Sequence, residues 1–235
     1  MSTAAPENTD AAILDHLVRR VAELEKQLQR VDDMRAIANV QGRYIYYIQS
    51  HQYEKIVALF ARKAEVGLEM DDLGKFIGYE KVAAVFLKVL KPLYMVKGAM
   101  GLHMLTTPVI EIHPDGEHAW GMWHTMGCNT QPDFVAHNSV QTAEPELLAM
   151  WQQGKYFIDF VKEDGEWKYQ NFRWYTNFRT PFDKGWVKQP ITGNMSVASK
   201  FFPGCPPADG PSHYEPFTPN GLTSYLPIPP PPYTE

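Results

Sequence analysis

Gly42-Arg43-Tyr44-Ile45-Tyr46-Tyr47-Ile48-Gln49-Ser50-His51-Gln52-Tyr53-Glu54-Lys55-Ile56-Val57-Ala58-Leu59-Phe60 is the stretch on which the fold reading turns. With the residues before it, Met34, Ile37, Tyr44 and Ile48 form one apolar stripe at helical spacing, flanked by Val40 and Tyr47. That pattern predicts a helix over Asp33 to His51, a short turn, and a second helix over Tyr53 to Ala61. Downstream, Glu65 to Met70 and Lys75 to Ile77 flank Asp71-Asp72-Leu73-Gly74, which reads as a hairpin turn. A third helix is expected from Tyr79 to Leu90, stopped near Pro92.

Past Pro92 the period changes from helical to alternating. Leu102 to Ile112, His118 to Asn129, Lys155 to Val161 and Trp167 to Phe178 read as strands, with turns at His113-Pro114-Asp115-Gly116-Glu117 and Glu163-Asp164-Gly165-Glu166. Helices first and long hairpin-linked strands afterwards predict an α+β fold with an antiparallel sheet. Gln131 to Met150 interrupts two paired strands with a long excursion. It is read as a lid or subunit contact carrying a short Glu144-to-Trp151 helix.

The two ends differ from this body. Leu17, Val21, Leu24, Leu28 and Val31 recur at four-three spacing with charged and amide residues between them, so residues 1–32 are read as a helical extension. The seam fits either a coiled coil or a helix lying on its own domain. At the far end, thirteen of the nineteen prolines fall between Pro181 and Pro232. Residues 183–235 therefore form either a disordered tail or an extended strap over the body or a neighbour. Phe201, Phe202, Tyr214, Phe217 and Tyr225 favour the strap.

Composition excludes several classes. The 235 residues carry a net charge of −5, so there is no basic footprint for nucleic acid. No apolar run is long enough to span a membrane, and the first residues lack the pattern of an export signal, so a cytoplasmic location is expected. Two cysteines, Cys128 and Cys205, are too few for a disulfide framework or a cysteine metal site. No spacing of a metal-ligand set is present, and neither a metal nor a cofactor is expected. Six Trp and twelve Tyr are plentiful enough to line an apolar pocket with polar tips.

The order of these elements resembles the nuclear transport factor 2-like superfamily, in its SnoaL-like polyketide cyclase and dehydratase branch. The stretch from Gly42 to Phe60 looks like that branch's first helix, turn and second helix. His103 opens the strand after the third helix, where the branch often places a pocket histidine. Glu163-Asp164-Gly165-Glu166-Trp167-Lys168-Tyr169 resembles its entry into the final strand. The likeness covers Asp33 to Phe182. It implies a cone in which a curved antiparallel sheet wraps the N-terminal helices around an apolar cavity. Relatives include scytalone dehydratase, a lindane dehydrochlorinase and ketosteroid isomerase, which perform proton transfer, elimination or isomerisation without cofactors. Other members of the fold are adaptors or simple binders.

One position departs from the branch. Its dehydratases tend to carry Tyr-x4-Asp at the end of the first helix, and here Tyr44 is followed by Gln49. A neutral amide cannot stabilise an imidazolium as a carboxylate does. Either His103 has another partner, or it serves as a hydrogen-bond donor, or the site is not catalytic.

Tyr44, His103, His124 and Arg173 are the candidate catalytic residues. Tyr47, Gln49, Trp120, Trp123, His137, Asn138 and Asn171 are candidates for substrate binding. Alternation puts His124 on one face with Trp120, Met122, Met126 and Cys128, and puts Trp167, Tyr169, Asn171, Arg173 and Tyr175 together on another. The expected pocket combines these groups with an apolar wall of Trp120, Met122, Trp123 and Phe157. The expected activity is a lyase acting on a hydroxylated aromatic small molecule. Its finer form is quinone-methide-assisted loss of formaldehyde, as in the diarylpropane lyases of lignin breakdown, which resemble this branch. The alternatives are a dehydratase, isomerase or cyclase of a polyketide- or steroid-like substrate, or a non-catalytic binding or assembly module. Both apolar ends predict a homo-oligomer, a dimer or trimer.

Overall fold

The computed structural model describes residues 9–71, 73–132, 146–192, 198–213 and 215–233. Its elements are α1 (Thr9–Gln49), α2 (Tyr53–Val57), β1 (Gly67–Met70), β2 (Gly74–Ile77), α3 (Tyr79–Val85), α4 (Lys91–Tyr94), β3 (Met100–Ile112), β4 (His118–Pro132), β5 (Leu147–Glu163), β6 (Glu166–Pro181) and α5 (Ala198–Phe201). The six strands form one curved, unclosed sheet in the order β2-β1-β6-β5-β4-β3. The α+β class and the cone architecture are as the sequence predicts. The sheet is not wholly antiparallel, however, because β1 runs parallel to β6. β1 reaches β6 from the helical half of the chain rather than through a hairpin, so no turn forces the antiparallel sense.

The extension and the first body helix are one continuous helix, because nothing between Val31 and Asp33 breaks the ladder. From Asp33 onward α1 is rooted in the core. The Asp33 carboxylate accepts from the Trp167 indole at 2.8 Å and pairs with Lys162 at 3.0 Å, and Gln41 Oε1 accepts from the Tyr169 hydroxyl at 2.7 Å. Ile37, Tyr44, Ile45 and Ile48 bury the face between these anchors. Before Val31 the heptad seam is solvent-exposed and, among the described residues, lies on no part of its own domain.

Two boundaries fall elsewhere than the sequence predicts. Pro92 does not stop the third helix. A π-turn over Phe86–Leu90 widens the hydrogen-bond ladder, and Pro92 then falls in the first turn of α4, where its missing N–H is not needed. The expected Glu144-to-Trp151 helix is overturned where the residues are described. Leu147–Trp151 is strand, paired from Leu147↔Pro132 to Trp151↔Cys128. Gln131, Pro132 and Leu147–Met150, the ends of the proposed lid, are strand, and the rest of it, with His137 and Asn138, lies in 133–145, outside the described residues.

The tail follows the body closely. Asp209 and Gly210 bond β2 through Lys75 at 2.8 and 2.9 Å, and the Phe217 amide donates to the Asn177 carbonyl at 2.6 Å. Lys155 Nζ donates to the Tyr225 and Pro227 carbonyls on the outer side of the sheet.

Candidate active site

His103, on β3, faces the concave side of the sheet. Gly127 lies directly opposite it on β4, where a Cβ would come 2.3 Å from the Leu102 carbonyl oxygen, so only glycine lets the strands pair here. The imidazole is buried, and burial holds its pKa down at about 4, so it is neutral at pH 7. Its partners fix the tautomer. Gln152 Oε1 accepts from Asn129 Nδ2 at 2.5 Å, which turns the Gln152 amide N–H toward His103 Nε2 at 2.7 Å. Nε2 therefore accepts, and Nδ1–H donates to the Tyr156 hydroxyl at 2.9 Å. Tyr156 stands beside Tyr44, with ring centroids 5.7 Å apart. The donors run in one direction, from Asn129 through Gln152 and His103 to the Tyr156 oxygen. Tyr44 lines the cavity beside the end of this chain.

Burial raises the pKa of both Tyr44 and Tyr156 well above that of an ordinary phenol. Around them the cavity is lined by Ile48, Met70, Leu90, Leu93, Tyr94 and Trp174. Burial also pushes Tyr94 up to about 12. The charged part of the wall is a buried ion pair, Arg179 Nη1 to Asp71 Oδ2 at 3.1 Å, with Thr176 also donating to Asp71. Cavity and mouth together enclose about 520 Å³ of unfilled space, of which about 50 Å³ is roomy enough to seat water. Asn129 Oδ1, at the same wall, is buried and has no partner among the described residues.

Only part of the expected constellation assembles here. Tyr44 and His103 converge through Tyr156. Gln49 does not touch the imidazole; its amide donates to the His103 carbonyl at 2.9 Å. Tyr47 is turned aside, with Lys55 over its ring at 5.6 Å, and the helix neighbour that lines the cavity is Ile48.

His124, Arg173, Asn171 and Trp120 are corrections. His124 is exposed on the outer face, in register with Thr106 and Lys155, and cannot meet His103. Arg173 and Asn171 also face outward, where both bond Asp159, with the Asn171 amide at 3.0 Å. Trp120, Met122 and Phe157 share that face, so of the expected apolar wall only Trp123 lies inside.

The cause of the error at Arg173 and Asn171 is β6. Its register against β5 shifts twice, between Asp159 and Phe160 and between Gln153 and Gly154. Each extra residue in β6, Gln170 and then Asn177, flips the facing of everything after it. The inward series is therefore Trp167, Tyr169, Phe172, Trp174, Thr176 and Arg179. The cavity arginine is Arg179, and the sequence reading missed it along with Tyr156, Gln152, Asn129, Tyr94 and Asp71. Tyr156, Gln152 and Asn129 follow from plain alternation once His103 is paired opposite Gly127. Nothing in the sequence marks the two bulges.

A model of the SnoaL-like domain matches residues 29–173. No curated protein sequence matches the chain. Among solved structures, a type 2 hexachlorocyclohexane dehydrochlorinase is 18% identical at a TM-score of 0.53, over 66% of this chain and 93% of that one. A type 3 hexachlorocyclohexane dehydrochlorinase from Novosphingobium barchaimii is 17% identical at 0.52, over 66% and 94%. A scytalone-dehydratase-like protein from Novosphingobium aromaticivorans is 17% identical at 0.52, over 66% and 91%. At these identities the likeness is one of fold. Among the described residues, no helix is long and apolar enough to cross a membrane, and no group of three or more His, Cys, Asp or Glu could hold a metal.

Proposed function

Because the chain belongs to the SnoaL-like family, we propose that its cavity carries out an elimination on a hydroxylated aromatic small molecule, using side chains alone. The observation that carries this is the one-way donor chain through His103 to Tyr156, with Tyr44 beside its end in the cavity wall. Loss of water places one proton on the leaving oxygen and takes one off the substrate, so a site that begins and ends neutral suffices. Tyr44 protonates the leaving hydroxyl. The charge left on its oxygen is stabilised by Tyr156 O–H, itself supported by His103 Nδ1–H, until the substrate's own proton restores it. Asn129 Oδ1 is free to accept from a substrate hydroxyl.

Among the described residues the site offers no unpaired carboxylate as a strong base, since Asp71 is held by Arg179 and Thr176. That favours a substrate that supplies its own electrons, as a para-hydroxyphenyl ring does. Departure of a benzylic hydroxyl as water, with loss of the phenolic proton, leaves a quinone methide. In a lignin-type 1,2-diaryl-1,3-propanediol, the hydroxymethyl group then leaves as formaldehyde: its C–C bond pair forms the stilbene double bond, the ring regains its aromatic electrons as a phenolate, and the hydroxymethyl O–H proton goes to that phenolate oxygen. One ring needs a cavity of roughly 150 Å³, so binding must widen the seat beside Tyr94 and Trp174.

The test is incubation with a phenolic 1,2-diaryl-1,3-propanediol and its para-O-methyl ether, together with simpler hydroxylated aromatics. Stilbene and formaldehyde from the phenol but not the ether supports the route. Equal turnover of both removes the quinone methide. Binding without turnover of any of them assigns the cavity to a ligand-binding module, the reading that its small free volume favours.

A further inference from the structure

We propose that the amino-terminal half of α1 pairs with the same helix of a second copy of this chain, parallel and in register, as a two-stranded coiled coil. The helix emerges from the body already formed, so its nucleation cost is met by the core-anchored turns after Asp33. Ile13, Leu14, Leu17, Val18, Val21, Leu24, Leu28 and Val31 are each at least 47% exposed. With Leu14 the seam reads Leu14, Leu17, Val21, Leu24, Leu28, Val31, an unbroken alternation of a and d positions.

The flanking positions decide the orientation. In a parallel pair each g residue meets the e residue five places on in the other helix. Ile13 then meets Val18 of the second copy, Arg20 meets its Glu25, and Gln27 meets its Asp32. All three pairings are complementary, and neither Arg20 nor Glu25 has an ion partner among the described residues. In the antiparallel alignment that keeps all six seam positions paired, Val18 would instead face Glu25 twice. From Arg20 onward polar side chains flank the seam closely, which suits two strands rather than a wider bundle.

The body leaves room for this partner. Glu23, Lys26, Arg30 and Asp33 line a cleft against the β3–β4 turn, and Arg30 bonds Glu111 at 3.1 Å. Those are c and f positions, away from the seam; Gln29 (b) and, nearer the seam, Gln27 (g) line the same cleft. Two bodies would therefore hang on opposite sides of the coil without meeting.

The experiment uses the full chain. Light scattering at high micromolar concentration should give twice the 26.8 kDa chain mass; a one-chain or three-chain mass overturns the proposal. Leu17→Glu with Leu24→Glu should return the mass to one chain with the far-ultraviolet spectrum and melting of the body kept, and an unchanged mass overturns it. Arg20→Glu should weaken association by about two- to thirtyfold, from two exposed ion pairs per dimer, and adding Glu25→Arg should restore it. Orientation is read from Val21→Cys in a Cys128→Ser, Cys205→Ser background. Disulfide-linked dimer supports the parallel register. Its absence, with linkage only when Val21→Cys and Leu24→Cys chains are mixed, overturns it.

Discussion

The Gln49 side-chain amide donates to the His103 backbone carbonyl at 2.9 Å, tying the end of α1 to the strand that carries the imidazole. The residue standing where the branch's dehydratases place an aspartate thus holds the histidine's main chain and leaves its ring to Gln152 and Tyr156. Gln49→Glu should place a carboxylate against that carbonyl, acceptor against acceptor. A loss of about 1–3 kcal/mol is expected, read by urea unfolding at pH 7, with Gln49→Ala losing less. If Gln49→Glu instead gained activity by pairing with the ring, the orienting role would be wrong.

Tyr44→Phe removes one hydroxyl and almost no volume. Turnover of a confirmed substrate should fall by about 10²–10⁴-fold, while the melting temperature changes little. Tyr156→Phe should lose activity as well, but it also strands the buried His103 Nδ1–H, so about 1–3 kcal/mol of stability should go with it. Equal kinetics for Tyr44→Phe and the parent would remove Tyr44 from the chemistry.

The neutral His103 makes the fold acid-sensitive. Its folded pKa, about 4, lies below the unfolded value of 6.5, so the unfolded chain binds the extra proton first. Stability from this group is full above pH 6.5 and is lost as pH falls toward 4, by about 3 kcal/mol in all. His103→Asn should shrink the difference in unfolding free energy between pH 7 and pH 4 by that amount, whatever it does to stability at either pH. An unchanged difference would mean the imidazole is not held neutral.

Arg179 and Arg173 should separate cleanly. Asp71→Asn removes the Asp71 charge that pairs Arg179 in a buried site and should cost about 3–5 kcal/mol. Arg173→Ala breaks a half-exposed pair with Asp159 on the outer face and should cost about 1 kcal/mol or less. Activity should follow the same split, since only Arg179 lines the cavity.

Lys155 fastens the tail. Its ammonium donates to the Tyr225 and Pro227 carbonyls, and Tyr225, Pro227, Ile228 and Pro229 line a groove with Met122 and His124. Lys155→Met should leave the body folded and free the last residues. Faster cleavage near Tyr225 in limited proteolysis is the expected result, and unchanged protection would place the latch elsewhere.

The sequence by itself determined the class of fold and part of the candidate site. Spacing of Met34, Ile37, Tyr44 and Ile48 is a property of a helix wherever it lies, and Asp-Gly turns between long alternating runs specify hairpins locally. Tyr44 and His103 were legible for the same reason, because each follows from its own element and that element's place in the order. Tertiary structure alone decided which face a residue late in β6 shows to the cavity. Alternation is a parity rule, and one extra residue reverses it for everything beyond. Gln170 and Asn177 are ordinary strand residues whose role as bulges arises from pairing with β5, so Arg173 was read inward; the second bulge returns Arg179 to the parity of Trp167, and it was overlooked because the strand was read as ending at Phe178. The partners of His103 were likewise beyond local reading, since Tyr156 and Gln152 are more than forty positions away in the chain and meet the imidazole only when β3, β4 and β5 pair.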